Sequence, residues 1–379
     1  MHTRKKILVF SDWFLPGYKA GGPIRSLANL VQALDFDFWI VTRITDHHST
    51  EPYVGIMPGV WTPMSSHVHV CYMHESDMNG SFVEKLFDEK TFDYIYFNSL
   101  FSPLFTLMPL RIARKMGMAS RCVLAPRGML KEGALSIKSR KKKLFLFAAR
   151  ALGWFNHIRW HATNEQEAAE IRLHLGRRCD IYIAPNLATT IQHSGTITHK
   201  EPGALRLISV ARISSEKGIR EALLFLKSAR LGKGLACIFY GTQQDPAYLE
   251  ECVALAAQIE GATISFPGEL RPELMADAFR DIHFFYLATW GENFGHAIAE
   301  ALQHGKPVII SNRTPWRDLT RYHAGWDLNL HESSFSEILG YCFAMNQEEY
   351  AQWSQGAAAY GSRQANDPRH VQAYYSVFE

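Results

Sequence analysis

The sequence predicts two α/β domains in one chain, each a parallel β-sheet with helices on both faces. Three observations carry this expectation. Short apolar runs rich in β-branched and aromatic residues alternate with longer stretches of helical periodicity. The alternation comes as two series, separated by a polar, aperiodic stretch at 186–203 that reads as an interdomain linker. A chain of 379 residues is long enough for two or three domains, and it shows no internal repeat.

In the first series the expected strands are 7–10, 38–41, 68–72, 94–97, 122–125 and 181–184, with helical stretches at 24–34, 82–87, 101–116 and 165–175. The second series begins at 205–210 and continues with 236–240, 263–266, 282–287 and 308–310. Strand–helix alternation of this kind forms parallel sheets whose ligands sit beyond the carboxyl ends of the strands, so a cleft lined by those ends is expected between the domains.

Hydrophobic residues make up 47% and charged residues 20%, an ordinary balance for a packed core. The net charge of +3 is too small to argue for nucleic acid, and no nucleic-acid signature accompanies it. Six cysteines lie far apart without a CxxC pair, which excludes a disulfide framework or structural zinc site as an expectation and suits a reducing compartment. The apolar run at 7–10 is short for a signal peptide and no 18-residue apolar segment follows, so a soluble or peripheral protein is expected.

Residues 289–310 read as a strand end, a glycine-punctuated loop, a helix from about Gly295, a stop at Gly305 and a buried strand. Glu292 lies in the loop and Glu300 on the helix. The helix start at Gly295 and His296 offers N–H groups and a positive dipole end to a phosphate. Carboxylates accept hydrogen bonds well from sugar hydroxyls. The bland alternative is an ordinary βαβ unit with a solvated Glu300.

At 209–219 a strand runs into a turn flanked by Arg212 and Lys217, with Gly218 opening the next helix. Two cations can converge there on one anion, or remain solvated charges of a surface turn. Gly21 and Gly22 follow the first strand at the head of a helix, where backbone can approach a ligand closely. That spacing is not the dinucleotide fingerprint, so no nicotinamide cofactor is implied, and a simple strand–helix turn is the alternative.

Together these segments resemble glycosyltransferase family 4, retaining enzymes of the GT-B fold, in order and spacing over residues 7–320. The resemblance implies two Rossmann-like domains facing across a cleft. The expected boundaries are 1–188 for the acceptor domain, 204–360 for the nucleotide-sugar donor domain, and 361–379 for a segment returning to the first domain. It also implies that Glu292 contacts the transferred sugar and Glu300 the donor ribose, while Arg212 and Lys217 grip the diphosphate. Asn293, Phe294 and Gly295 join the donor site, and the Gly21–Gly22 loop faces donor and acceptor. The segment at 266–270 resembles the backbone that meets the nucleobase, at Gly268. Many relatives carry a histidine near 127, where this chain has Arg127. Arg127 then binds donor phosphate or an anionic acceptor as a fourth catalytic residue, or pairs with a nearby carboxylate. His161, at a strand end, is at least as well explained as structural.

The expected reaction is transfer of a glycosyl group, with retention, from a nucleoside-diphosphate sugar to an acceptor hydroxyl, in cell-surface polysaccharide or glycolipid synthesis. The departing diphosphate gains negative charge, which preorganised cations stabilise without reorganisation. Neither cofactor nor metal is expected: the Asp35 and Asp37 pair lies away from the proposed cleft, and His67 and His69 have no third ligand. Expected partners are a glycan or lipid-linked acceptor and an anionic membrane surface, without nucleic acid. The membrane contact is read from 138–155, where five cations among residues 138–143 run into Leu144, Phe145, Leu146, Phe147, Leu152, Trp154 and Phe155. A cytoplasmic protein, peripheral on the inner face of the membrane, follows. Alternatives are a nucleotide-sugar epimerase or phosphorylase of the same fold, or a donor-binding subunit without turnover. The intact set of Arg212, Lys217, Glu292 and Glu300 argues against the last.

Overall fold

The computed structural model describes residues 4–131, 135, 139–191 and 195–379. The chain forms two compact units, one of residues up to Leu187 together with Pro368–Glu379, the other of Ala188–Asp367.

The first unit is built on an eight-stranded sheet in the order β3-β4-β2-β1-β5-β6-β7-β8. Its strands are β1 Lys6–Phe10, β2 Asp37–Arg43, β3 Trp61–Ser65, β4 Val68–Met73, β5 Tyr94–Phe97, β6 Cys122–Leu124, β7 Arg159–Ala162 and β8 Asp180–Ile183. All pairs are parallel except β3 with β4. The period of two explains why β1 reads as a continuous apolar run. Ile7 and Val9 pack on one face with Leu27, Leu30 and Val31 of α1 (Gly22–Ala33), whereas Leu8 and Phe10 pack on the other with Val83 and Leu86 of α2 (Gly80–Glu89). Asn79 caps α2 and Asn164 caps α5 (Glu165–Leu175) through their side-chain oxygens. Between them in sequence lie α3 (Met108–Lys115) and α4 (Ser139–Ala151).

The second unit carries a six-stranded parallel sheet in the order β11-β10-β9-β12-β13-β14. Its strands are β9 Leu205–Val210, β10 Leu235–Tyr240, β11 Thr263–Gly268, β12 Phe284–Leu287, β13 Val308–Ser311 and β14 Gly325–Leu328. Helices α6 (Ile219–Ala229) and α10 (Glu332–Ala344) cover one face; α8 (Met275–Arg280), α9 (His296–Gln303) and α11 (Gln347–Ala365) cover the other. Helix α7 is Pro246–Ala256 and α12 is Pro368–Val377. The chain moves from β9 outward to β10 and β11, then returns to β12 on the opposite side of β9. That reversal is a topological switch point, where a crevice opens beyond the strand ends.

Several expectations need correction. The helix expected at 101–116 begins as a wide π turn, Pro103–Leu107, capped by Ser102, before α3. Strands β3 and β14 were not anticipated: β3 is an edge strand containing Pro63, and β14 is four residues long. The stretch at 188–203 belongs to the second unit. Gln303 bonds both the Thr189 carbonyl and the Ile191 amide, Thr198 donates to the Arg280 carbonyl at 2.9 Å, and buried Lys200 reaches the Met345 carbonyl at 2.8 Å. Burial lowers the Lys200 pKa to about 8. Nor does the chain leave that unit at 361: α11 continues to Ala365, and Gly361 lets it lie against Gln303 and Leu302, where a Cβ would come within 2.7 Å of the Gln303 amide. The chain rejoins the first unit at Pro368, and Tyr374, Val377 and Phe378 enter its core.

Among the described residues, no helix is long and apolar enough to cross a membrane, and no group of three or more His, Cys, Asp or Glu is placed to hold a metal. Asp35 pairs with Arg4, and the His69 ring stacks on Trp39.

Two fully buried histidines give a test of the packing. Burial holds the pKa of His161 down to about 3, helped by the Arg127 charge, and burial does the same for His283. Between about pH 6.5 and 3 the unfolded chain therefore takes up protons that the folded chain refuses, so stability falls as pH falls, by up to about 1.4 kcal/mol per pH unit for each histidine. Urea unfolding across this window should show a shallower acid loss for His283→Gln than for the native protein. Equal slopes would contradict the buried, neutral imidazole.

Candidate functional site

β9 delivers the chain to the switch point of the second unit. Beyond it, Ala211 and Ile213 donate to the Tyr240 and Thr242 carbonyls beside β10, and a tight turn at Ser215–Lys217 leads into α6. Gly218 closes the turn with φ +65°, and a Cβ there would lie 1.9 Å from the Ala288 carbonyl oxygen. Only glycine lets this turn lie against the end of β12. The close approach decides where the two cations go. Lys217 Nζ lies 2.8 Å from Glu292 Oε2, with the two side chains 11% and 20% exposed. Arg212 pairs with Glu216 at 3.0 Å in a half-exposed surface contact, worth no more than about 1 kcal/mol.

The loop after β12 is fastened to that turn through one carbonyl. Glu216 O accepts from the Trp290 amide at 3.0 Å and lies 3.1 Å from the Thr289 hydroxyl, which itself accepts from the Gly291 amide. On its other side the loop is held by residues after β13. Ser311 Oγ donates to the Thr289 carbonyl, Glu292 N to the Arg313 carbonyl at 3.0 Å, and Trp316 Nε1 to the Phe294 carbonyl. The Glu292 carboxylate thus sits in a fixed backbone, with Oε2 on Lys217 and Oε1 accepting from the Asn293 amide at 2.9 Å.

Gly295 starts α9 in the left-handed region, with φ +80° and no side-chain cap. A Cβ there would press within 2.7 Å of Ile298 and 3.1 Å of Glu292 Cγ. The Phe294 ring packs against His296 and Trp316. Glu300 follows on α9 and is 8% exposed. Arg212, Lys217, Glu292, Asn293, Phe294 and Gly295 are therefore brought together at one switch point, with Glu300 on the helix that begins there. Gly268 ends β11, at the edge of the same sheet, where its carbonyl accepts from the Gly241 amide at 2.8 Å. Cation, carboxylate and helix start together can hold a diphosphate and the hydroxyls attached to it.

Gly21, Gly22 and Arg127 belong to the first unit. Gly21 is the uncapped residue before α1, with open space beside it, and the loop leading to it is tied down by Asp46, which accepts from the Tyr18 and Lys19 amides. Arg127, expected as a catalytic residue, has its guanidinium positioned by three neutral partners of the first unit. It donates through Nε to Asn98 at 2.8 Å, through Nη1 to Asn186, and through Nη2 to Tyr96 at 2.8 Å. The chain of bonds continues inward. Since His161 Nε2 must donate to the Ala184 carbonyl, its Nδ1 accepts from Tyr96 at 2.7 Å, which sets the tautomer. The neighbouring Gly128 amide donates to buried Glu167, whose other oxygen accepts from Thr163. These bonds fix the positions of Arg127 and His161 within the first unit.

Sequence reasoning missed Glu216, Thr289, Ser311 and Trp316. They act through backbone carbonyls and amides, and nothing in a sequence distinguishes such a threonine or tryptophan from any other near a turn.

Residues 196–326 match the family model described as glycosyl transferases group 1, a segment that contains every candidate of the second unit. Comparison with curated protein sequences finds no match. Among solved structures, the chain is similar to HepE of Anabaena in complex with UDP and glucose, with TM-score 0.67, 15% identity, and 98% of this chain and 99% of that one covered. It is similar to sucrose-phosphate synthase of Thermosynechococcus elongatus, with TM-score 0.68, 17% identity and 99% of each chain covered. It is also similar to a glycosyltransferase of Rickettsia africae, with TM-score 0.68, 12% identity, and 99% and 98% covered. These full-length likenesses show the GT-B fold, and the family match supports a glycosyltransferase.

Gly218 gives the sharpest test of how the site is built. Gly218→Ala must push the turn away from Ala288 and strain a positive φ, so the second unit should lose about 2 kcal/mol or more. Urea unfolding measures this directly. A loss within about 0.5 kcal/mol, the range of ordinary surface changes, would mean that the turn does not need its close approach to β12.

Proposed function

We propose that the protein is a family 4 type glycosyltransferase that moves a sugar, with retention, from a nucleoside-diphosphate sugar to an acceptor hydroxyl. One observation carries this reading: the Lys217 ammonium, the Glu292 carboxylate and the start of α9 converge at the switch point of the second unit, within the matched segment. Lys217 and Arg212 take the diphosphate, Glu292 the hydroxyls of the transferred sugar, and Glu300 the ribose. Asn293, Phe294 and Gly295 line the donor beside them, and Gly268 offers its backbone to the base.

In the reaction the bond from the anomeric carbon to the β-phosphate oxygen breaks, and its electron pair leaves with the nucleoside diphosphate. The acceptor oxygen bonds to that carbon on the same face, and its proton passes to the departing phosphate oxygen. Lys217 stabilises the charge that develops on the phosphate. At about 4 Å and an effective dielectric near 20, one such pair of charges interacts by roughly 4 kcal/mol before desolvation. With cations and a helix start in place, no divalent metal is needed. The acceptor is a glycan or lipid-linked sugar for cell-surface polysaccharide or glycolipid, met at the inner, cytoplasmic face of a membrane.

Three variants assayed in chelating buffer test the assignment. Lys217→Ala should lower turnover on the order of 100-fold, as loss of one charge-stabilising group does. Glu292→Ala should lower the rate while keeping nucleoside-diphosphate affinity, and Glu300→Ala should weaken that affinity. Unchanged turnover and affinity in Lys217→Ala would sink the diphosphate role, and a reversed pattern for the two glutamates would invert the orientation of the donor.

A further inference from the structure

The first unit has a basic and apolar face that its own packing leaves unused. An open groove of about 520 Å³ is lined by Arg111, Arg114 and Lys115 of α3 and by Leu152 and Trp154, just past α4. None of these three cations has a carboxylate partner among the described residues; Arg114 donates to the Asn156 carbonyl at 2.7 Å. Three neighbouring cations without counter-ions repel one another, and an anion between them would relieve that repulsion.

Helix α4 extends the face. The apolar run read from the sequence is divided by the fold. Leu146, Ala149 and Phe155 enter the core, Phe145 and Trp154 pack against it, and Lys142 lies over the Phe101 ring. The outer arc then carries Arg140, Lys141, Lys143 and Arg150 together with Leu144, Phe147 and Leu152, which are 68%, 71% and 79% exposed. Lys138 lies outside the described residues. Large apolar side chains held in water among exposed cations gain nothing for folding, and they match what an interfacial helix presents to lipid.

We propose that this face seats the protein on an anionic phospholipid bilayer, with one lipid phosphate held in the groove by Arg111, Arg114 and Lys115. Leu144 and Phe147 enter the apolar boundary beside it, and Arg140, Lys141 and Lys143 meet further headgroups. This deepens the membrane partner named above, and it rests on no step of the donor chemistry.

Cosedimentation of the full chain with vesicles decides it. The native protein should pellet with phosphatidylglycerol vesicles and stay in solution with phosphatidylcholine alone. Arg111→Ala combined with Lys115→Ala should weaken vesicle binding about 30-fold, the expected effect of removing two basic residues near such a surface. Phe147→Ser should reduce the binding that survives high salt, where charge is screened. All these positions are exposed, so an unchanged unfolding midpoint certifies the fold, and unchanged nucleotide affinity separates this surface from the donor site. Equal recovery on both lipids overturns the anionic surface. Native-like binding by the double variant overturns the phosphate groove.

Discussion

The Glu216 carbonyl is the point on which the donor site depends. By accepting from the Trp290 amide and the Thr289 hydroxyl, it fastens the turn after β9 to the loop after β12 across the switch point. Each bond contributes only about 1 kcal/mol net, yet together they set the backbone from which Lys217 and Glu292 meet at 2.8 Å. The shielding of that pair matters as much as its length. Arg212 and Glu216 make a similar contact in the open, where solvent screens it. A charge pair held before any ligand arrives needs little reorganisation when a diphosphate enters, which is the condition for effective electrostatic stabilisation.

The two units use their polar groups differently. In the first, Arg127 bonds Asn98, Asn186 and Tyr96, Tyr96 bonds His161, and Glu167 takes the neighbouring Gly128 amide, so the polar groups near the strand ends are largely held by one another or by the backbone. Half-satisfied buried networks are costly and full ones are rigid. In the second unit, the cation beyond β9 stays at the crevice and faces a carboxylate from the loop after β12. The same sheet architecture therefore supports stiffness in one unit and a candidate ligand site in the other.

Much of the fold was legible because its central strands are buried on both faces. Ile7–Phe10 reads as an unbroken apolar run for that reason, and Leu205–Val210 as an apolar run interrupted only by Arg206 and Ser209. Elements whose stability comes from elsewhere were not legible. β3 is a half-exposed edge containing proline, β14 places Gly325 and Asp327 among only four residues, and the 188–203 stretch, with a linker's composition, is held by Lys200 on three carbonyls. The boundary expected at 361 falls inside α11, where Gly361 is a contact point with α9.

The candidate site was legible where spacing and chemistry coincide, at Arg212 to Lys217 and Glu292 to Glu300, because a turn and a helix start are local in sequence. Its support was hidden, since Ser311 and Trp316 act on carbonyls some twenty residues away in the chain. The central claim is that the donor lies where those two local segments are joined. Hydrogen exchange of the full chain, with and without a saturating nucleoside-diphosphate sugar, tests it most directly. Slowed exchange in the turn at 212–218 and the loop and helix start at 289–299 is the predicted result, with α3 and α4 unchanged. Slowing confined to the first unit, with both segments exchanging as before, would contradict the account.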